Sequence, residues 1–233
     1  MCGRFTQTAD AELLKNVFDL AEAPEVAANF KFNIAPTDPV VAVRPAVDSD
    51  GRRADLMRWG LVPPWRKDFR KKPPLINARA ETVHKLRPFR DAFKRRRCLV
   101  VADGWYEWRH LPDGKQPFRF VRHDRRPFGL AGLWERFFSD DGTVMESCTV
   151  LTVPPNPLCA EVHDRMPLIL PPKHWDAWLD ETVEPDALAP LLVTPEQDEL
   201  EFYAVARDVN SVRNRGADLI NEIQPSPVQT ELF

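Results

Sequence analysis

A cysteine at position 2 is the first residue whose reactivity depends on its place in the chain. Removal of Met1 makes Cys2 the N-terminal residue, which then carries a free amine and a thiol on adjacent carbons. An α-amine has an ordinary pKa of about 7.7–8.0, so part of it is neutral and nucleophilic at physiological pH. This amine can attack an aldehyde to form a Schiff base, and the tethered thiol can close on the imine carbon to give a five-membered thiazolidine. The alternative interpretation is that Cys2 has no chemical role and is a small residue that follows the initiator methionine by chance.

Three further residues have side chains suited to proton transfer or orientation. Glu107 lies between Tyr106 and Trp108, where an aromatic surface should raise its pKa and make it an acid or base near neutral pH. An ion pair with a nearby arginine is its alternative. His163 lies in a short polar segment and can shuttle a proton, although a structural histidine is the alternative. Asn77 offers a neutral amide that orients an aldehyde or hydroxyl without titrating, but alone it predicts only a turn.

The composition indicates a folded, soluble protein. The 233 residues are 43% hydrophobic and 29% charged, which excludes disorder of the whole chain. No apolar run typical of a signal peptide or a membrane span is present, so we expect a cytoplasmic protein without membrane contact. The four cysteines show no C-x-x-C spacing and there is no H-E-x-x-H. The sequence therefore predicts neither a disulfide framework nor a metal, and no cofactor.

Charge is distributed unevenly along a chain whose net charge is only -3. Residues 58–97 contain 14 Lys and Arg against 3 Asp and Glu, and residues 176–233 contain 3 against 13. The basic segment suggests a polyanionic partner. Two solvated faces that partly neutralise each other explain the same pattern equally well.

The elements that must position these side chains are short. The 23 prolines against 9 glycines argue against long helices. Apolar periodicity predicts helices at 9–20, with Thr8 as its cap, at 88–96 and at 173–180. Short apolar runs predict strands at 40–43, 54–59, 98–102, 105–108, 118–121, 128–134, 145–153, 166–170 and 199–206. No repeat or linker divides the chain, so we predict one α+β domain over 1–233, built on a strongly bent, mostly antiparallel sheet or barrel with a few short helices.

Four segments together resemble a known family. They are residues 1–5 (MCGRF), 77–82 (NARAET), 102–108 (ADGWYEW) and 163–167 (HDRMP). They are similar to the SOS-response-associated peptidase (SRAP) family, whose members form covalent crosslinks to abasic sites in single-stranded DNA. Supporting matches occur at 33–36 (NIAP), 58–61 (RWGL), 64–65 (PW), 97–99 (RCL), 131–134 (AGLW) and 209–212 (VNSV). The resemblance spans nearly the whole chain in the family's order.

The resemblance implies a catalytic set of four residues. Cys2 corresponds to the nucleophile and Asn77 to the residue that positions the sugar. Glu107 and His163 correspond to the groups that handle protons during ring opening, crosslinking and its reversal.

The resemblance also implies a DNA-binding set. Arg4, Arg79 and Arg165 correspond to positions that contact phosphates, where charge-assisted hydrogen bonds hold a DNA backbone. Trp65 corresponds to an aromatic position that stacks on or wedges against bases, although core packing is its alternative. Val153 departs from the hydroxyl residue found in many members, so any hydrogen bond from that position is in doubt.

The implied function is that of a monomer that senses abasic sites in single-stranded DNA and shields them by a reversible thiazolidine crosslink. The protein would be cytoplasmic and nucleoid-associated when bound to DNA. Met1 would be removed by self-processing or by an aminopeptidase. An N-terminal-nucleophile amidohydrolase is one alternative, because Met-Cys-Gly also opens glutamine amidotransferase domains. A single-stranded DNA-binding protein without chemistry is another.

Overall fold

The computed structural model describes residues 2–25, 31–46, 51–194 and 199–224. The helices are α1 (Ala11–Phe18), α2 (Arg90–Arg95), α3 (Pro157–Ala160) and α4 (Trp175–Leu179). Short 3-10 helices occupy Phe69–Lys71, Pro172–His174, Pro185–Leu191, Arg207–Asn210 and Ala217–Ile220. The strands are β1 (Arg4–Gln7), β2 (Lys31–Ile34), β3 (Pro39–Pro45), β4 (Arg52–Trp59), β5 (Asn77–Arg79), β6 (Arg97–Ala102), β7 (Gly104–Leu111), β8 (Gly114–Arg122), β9 (Phe128–Phe138), β10 (Val144–Val153), β11 (Met166–Pro167), β12 (Ile169–Leu170) and β13 (Leu200–Ala204).

Five strands close into a barrel in the order β10, β4, β3, β6 and β9, with β9 pairing back to β10. The pairs are antiparallel except β4 with β10, which is parallel. β6 is buried along its whole length, and the continuous apolar run over residues 98–102 is typical of a strand that is covered on both faces. β5 pairs in parallel with residues 150–152 of β10, next to the part of β10 that pairs with β4. The barrel therefore provides the rigid frame that carries β5.

The second sheet contains five antiparallel strands in the order β13, β8, β7, β1 and β2. Aromatic side chains fill one of its faces, where Trp105 stacks on Phe120 at 4.9 Å between ring centroids. β1 lies between β7 and β2, which brings the N-terminal segment into the interior of the sheet.

The predicted fold class is confirmed, with corrections at individual elements. The strands missed by the sequence are β1, β2 and β5, which have three or four residues each and too few apolar positions to show a period. The first helix begins at Ala11 and its cap is Asp10, whose carboxylate accepts from the Leu13 amide at 2.7 Å. The predicted cap Thr8 is wrong, because its hydroxyl donates to Asp103 instead.

Within the described ranges, no helix has the length and apolar character needed to cross a bilayer. Searching the same residues also finds no group of three or more Cys, His, Asp and Glu placed to hold a metal ion. The predicted extent of one domain over 1–233 stays a prediction, since the chain beyond residue 224 lies outside the described residues.

Candidate active site

Asn77 holds the backbone of Cys2. Cys2 is fully buried two residues before the start of β1, and Asn77 Nδ2 donates to the Cys2 carbonyl oxygen at 2.8 Å. The strand β5 fixes this amide, because Asn77 pairs in register with Val150 of the barrel strand β10. The Asn77 Oδ1 atom is buried and accepts no hydrogen bond from any described residue. A buried acceptor of this kind is suited to a hydroxyl or amine brought in by a ligand.

Glu107 and His163 form the second pair in the site. Glu107 is buried on β7, and its Oε2 lies 3.7 Å from His163 Nε2. The other ring nitrogen, His163 Nδ1, lies 3.0 Å from the backbone amide of Arg165 and 3.0 Å from Asp164 Oδ1, so Nε2 is the ring atom that faces Glu107. Burial raises the pKa of Glu107 to about 7 and lowers the pKa of His163. Both shifts favour the uncharged forms of the pair, and a carboxyl group with a pKa of about 7 can donate or accept a proton near neutral pH.

The thiol of Cys2 is electrostatically coupled to Glu107. Burial raises the pKa of the Cys2 thiol, and the negative charge of Glu107 raises it further. The thiol therefore stays protonated until a base removes the proton. The structure thus brings Cys2, Asn77, Glu107 and His163 together, although they are far apart in the sequence. The catalytic roles assigned to them stay predictions.

A short capped helix positions His163. Asn156 caps α3 by accepting from the Cys159 amide at 2.8 Å, and the Cys159 carbonyl accepts from the His163 amide at 2.9 Å. Val153, three residues before the cap, is fully buried in the core. Its side chain therefore packs among apolar groups.

Asp103 clamps β1 and was missed by the sequence reasoning. Its buried carboxylate accepts from the hydroxyls of Thr6 and Thr8 and from the Thr8 amide. It also pairs with Arg119 at 3.1 Å. These contacts fix the register in which Arg4 of β1 lies beside Tyr106 of β7. The sequence did offer one indication of this role, because Asp103 lies inside the ADGWYEW segment that resembles the family.

Arg4 is engaged inside the protein. Its Nη1 donates to Asn33 Oδ1 and to the Val209 carbonyl at 2.8 Å each, and its Nη2 donates to the Asn210 carbonyl at 3.2 Å. The amide of Asn33 donates to further carbonyls in residues 209–214. Arg4 and Asn33 therefore hold this loop next to the site. The predicted contact of Arg4 with phosphate stays a prediction.

The other two predicted arginines differ sharply in their surroundings. Arg165 has a side chain only 12% exposed and forms a two-point ion pair with Glu81, at 2.5 and 3.0 Å. It also donates to the Thr152 carbonyl at 2.6 Å. Arg79 is exposed at the end of β5, two residues after Asn77. Arg79 is therefore the more accessible of the two to a strand in solution.

Trp65 lies on the surface. It is 43% exposed, and the guanidinium of Arg87 lies 4.8 Å from its ring centroid. Core packing therefore does not account for this residue. A stacked cation and an exposed ring make a surface on which a base could stack.

The basic segment is less available than its charge count suggests. Arg97 is buried and donates to backbone carbonyls of Phe93 and Trp178, so its role is structural. Arg96 pairs with Glu135 at 2.6 Å. His84, Lys94 and Arg95 share a groove with acidic residues 181, 184 and 186. Part of the charge asymmetry is thus neutralised within the protein.

Comparison with known proteins decides the family. Residues 1–212 match the family described as SOS response associated peptidase (SRAP). The chain belongs to the SRAP family. It is similar to the abasic site processing protein YoqW of Bacillus subtilis (strain 168), with 36% identity over 223 residues, 94% of this chain and 99% of that protein. It is 31% identical over 232 residues to the abasic site processing protein YedK of Escherichia coli (strain K12), covering 96% and 100% of the two chains.

A solved structure shares the SRAP fold seen here. The crystal structure of a protein from Bacteroides thetaiotaomicron aligns with a TM-score of 0.81 at 22% identity. The alignment covers 96% of this chain and 100% of that one. The match over residues 1–212 confirms the family resemblance predicted from the sequence segments.

Proposed function

We propose that this SRAP protein processes abasic sites in single-stranded DNA and that it does so through a reversible covalent crosslink at Cys2. The names of YoqW and YedK support the role at abasic sites. The observation that carries the chemistry is the arrangement around Cys2, where Asn77 binds its carbonyl and Glu107 is coupled to its thiol.

The crosslink forms in two steps. Removal of Met1 frees the Cys2 amine, whose nitrogen attacks the C1′ aldehyde carbon of the open-chain abasic sugar. The addition product loses one water to give an imine. The Cys2 sulfur then bonds to C1′, and the thiol proton is transferred to the nitrogen to complete the thiazolidine. Reversal runs through the same bonds and takes up one water.

Glu107 and His163 handle the protons of these steps. Because the pKa of Glu107 is about 7, its neutral form can donate a proton to the departing hydroxyl. The carboxylate that results can accept the thiol proton. His163 lies next to Glu107 through Nε2 and can relay protons to or from the sugar oxygen. The buried Oδ1 of Asn77 accepts from a sugar hydroxyl and so orients the substrate.

Incubation with three substrates tests the proposal. A single strand with one abasic site should give a heat-stable adduct on a denaturing gel, whereas the same strand without the site should not. Hydrolysis of glutamine in place of an adduct would identify an N-terminal-nucleophile amidohydrolase. Non-covalent DNA binding that survives Cys2→Ala, with no adduct from the wild type, would identify a binding protein without chemistry.

Loss of Met1 is tested on protein purified with Met1 still attached. Self-processing predicts that Met1 is released by the purified protein alone, and that Cys2→Ala retains it. Release that requires an added aminopeptidase would assign the step to that enzyme.

A further inference from the structure

Glu107 and His163, two of the four proposed catalytic residues, line one part of an open pocket of about 400 Å³. Its remaining lining residues are Arg4, Trp108, His110, Lys115 and Asn210. Glu107 is the single carboxylate among the lining residues, whereas Arg4, Lys115 and two histidines supply positive or protonatable groups. The pocket is therefore suited to an anionic group.

A hydrogen bond and an ion pair between the two sides of this pocket fix its shape. Trp108 Nε1 on β7 donates to Asn210 Oδ1 at 2.6 Å. At the tip of the β7–β8 hairpin, Asp113 pairs with Arg207 at 2.6 Å. Because residues 207–210 are also bound by Arg4, the hairpin and the loop are fixed relative to each other. An anion entering the pocket thus meets a preformed site.

His110 and Lys115 lie at the outer part of the pocket. They are directly opposite each other in the β7–β8 register, and both are exposed. Lys115 forms no ion pair with any residue in the described part of the chain. The Lys115 ammonium and a ring nitrogen of His110 can both donate hydrogen bonds to one anion, and the positive charge of Lys115 attracts it.

We propose that His110 and Lys115 form a subsite for a phosphodiester group of the DNA strand, next to the nucleotide that reacts with Cys2. The inference rests on the proposed function, which supplies the DNA strand as the ligand. The pair lines the same pocket as Glu107 and His163, so a strand that reacts at Cys2 passes close to it. The strand phosphate is favoured over a free anion since the reacting sugar already places its neighbouring phosphates beside the pocket.

The test uses binding without reaction. A single strand carrying a tetrahydrofuran analogue has no aldehyde and cannot crosslink, so its affinity reports the non-covalent contacts with the strand, without the reaction at Cys2. Lys115→Gln should reduce the slope of log affinity against log salt by about 0.7, which is about fivefold in affinity between ~1 M and ~0.1 M salt. Lys173→Gln, an exposed lysine outside the pocket, is the matched control and should change neither affinity nor crosslinking.

A scan of neutral methylphosphonates locates the contact. At one position beside the analogue, the neutral linkage should lower the affinity of the wild type. The same linkage should leave the affinity of Lys115→Gln unchanged, because this variant has already lost the contact. Equal losses for both proteins at every position, or an unchanged salt slope, would overturn the subsite. Inorganic phosphate could also compete with the strand at constant ionic strength. If it does so, and no methylphosphonate position affects the wild type more than Lys115→Gln, the pair is a site for free anions and the proposal is overturned. Failure of the wild type to form an adduct with a true abasic site would instead reject the proposed chemistry, which the analogue does not measure.

Discussion

The proposed reaction centre and the proposed strand-binding surface differ in burial. Cys2 and Glu107 are buried, and Asn77 is held between the barrel and the N-terminal segment. Arg79 and Trp65 are exposed. Burial shifts pKa values and fixes geometry, which proton transfer needs, whereas contact with a flexible strand needs accessible charge and aromatic surface. The two regions should therefore respond differently to substitution, one in rate and the other in affinity.

Arg4 and Arg165 lie between these extremes. Each has internal partners, Asn33 for one and Glu81 for the other, so alanine at either position removes structural bonds as well as a positive charge. Arg79 is the cleaner test of a phosphate contact, since it is exposed.

The largest expected effect comes from Cys2→Ser. Once Met1 has been removed, with an added aminopeptidase where the variant retains it, the serine variant keeps the amine. Borohydride should then still trap a Schiff base, but the stable thiazolidine should be lost completely. Heat-stable adducts on a denaturing gel measure this. Cys98→Ala, which changes a buried barrel cysteine, is the control and should retain the adduct. A normal yield of heat-stable adduct from Cys2→Ser would rule out the thiazolidine.

Glu107→Gln should slow crosslinking by about 10²–10⁴, the range expected for a general acid–base group, with DNA affinity nearly unchanged. Single-turnover time courses at saturating DNA measure the rate. Glu135→Gln makes the same change at another buried glutamate, one paired with Arg96 on the barrel, and should leave the rate unchanged. Wild-type rates for Glu107→Gln between pH 5 and 8 would remove Glu107 from the mechanism.

Glu107 should also make folding stability depend on pH. Burial raises its pKa from 4.5 to about 7, so between these values the native protein holds a proton that the unfolded chain has lost. The free energy of unfolding therefore falls as pH rises through this window, by about 3 kcal/mol in total. Denaturant unfolding of wild type and Glu107→Gln measures the difference, which should decline from pH 4.5 to 7 and level off above. A difference independent of pH would contradict the raised pKa.

The sequence identified the apolar framework better than the contacts within the site. Runs such as 98–102 are apolar throughout and predicted their strands directly. β1, β2 and β5 were missed because each has only three or four residues, and Arg4, Asn33 and Asn77 are polar, which leaves too few apolar positions to show a period. These polar residues bind distant parts of the chain, and spacing along a sequence carries no information about such contacts.

The site residues were nominated by motif resemblance, whereas their partners became visible only in the structure. The ion pair between Arg165 and Glu81 joins two motifs that are 84 positions apart. Asp103 lay inside a motif, but its hold on Thr6 depends on the pairing of β1 with β7. Tertiary contacts of this kind follow from the topology of the sheets.

On the binding surface, Trp65→Ala should weaken single-strand binding by about 1–3 kcal/mol, the value of one stacked base. The maximal crosslinking rate should change much less than the affinity, because Trp65 lies outside the buried centre. Fluorescence anisotropy with the tetrahydrofuran strand measures this, and Phe138→Ala, an aromatic residue that is 64% exposed at the end of β9, is the control. Equal losses for both variants would show that Trp65 has no specific role.

The smallest expected effect belongs to Arg79→Ala. Loss of one phosphate contact should reduce the salt slope of binding by about 0.7. Titrations at several salt concentrations measure the slope, with the exposed Arg126→Ala as control. If the slope stays at the wild-type value, Arg79 does not touch the strand and the binding surface lies elsewhere.

Intact mass spectrometry before and after mixing with an abasic single strand tests the central claim most directly. The protein should lack Met1 and should then gain the mass of the strand minus one water. Alkylation after denaturation should label the four cysteines of the free protein and one fewer in the adduct, because the Cys2 sulfur is bonded to C1′. An adduct that retains Met1, or one in which all four cysteines are alkylated, would contradict the thiazolidine at Cys2.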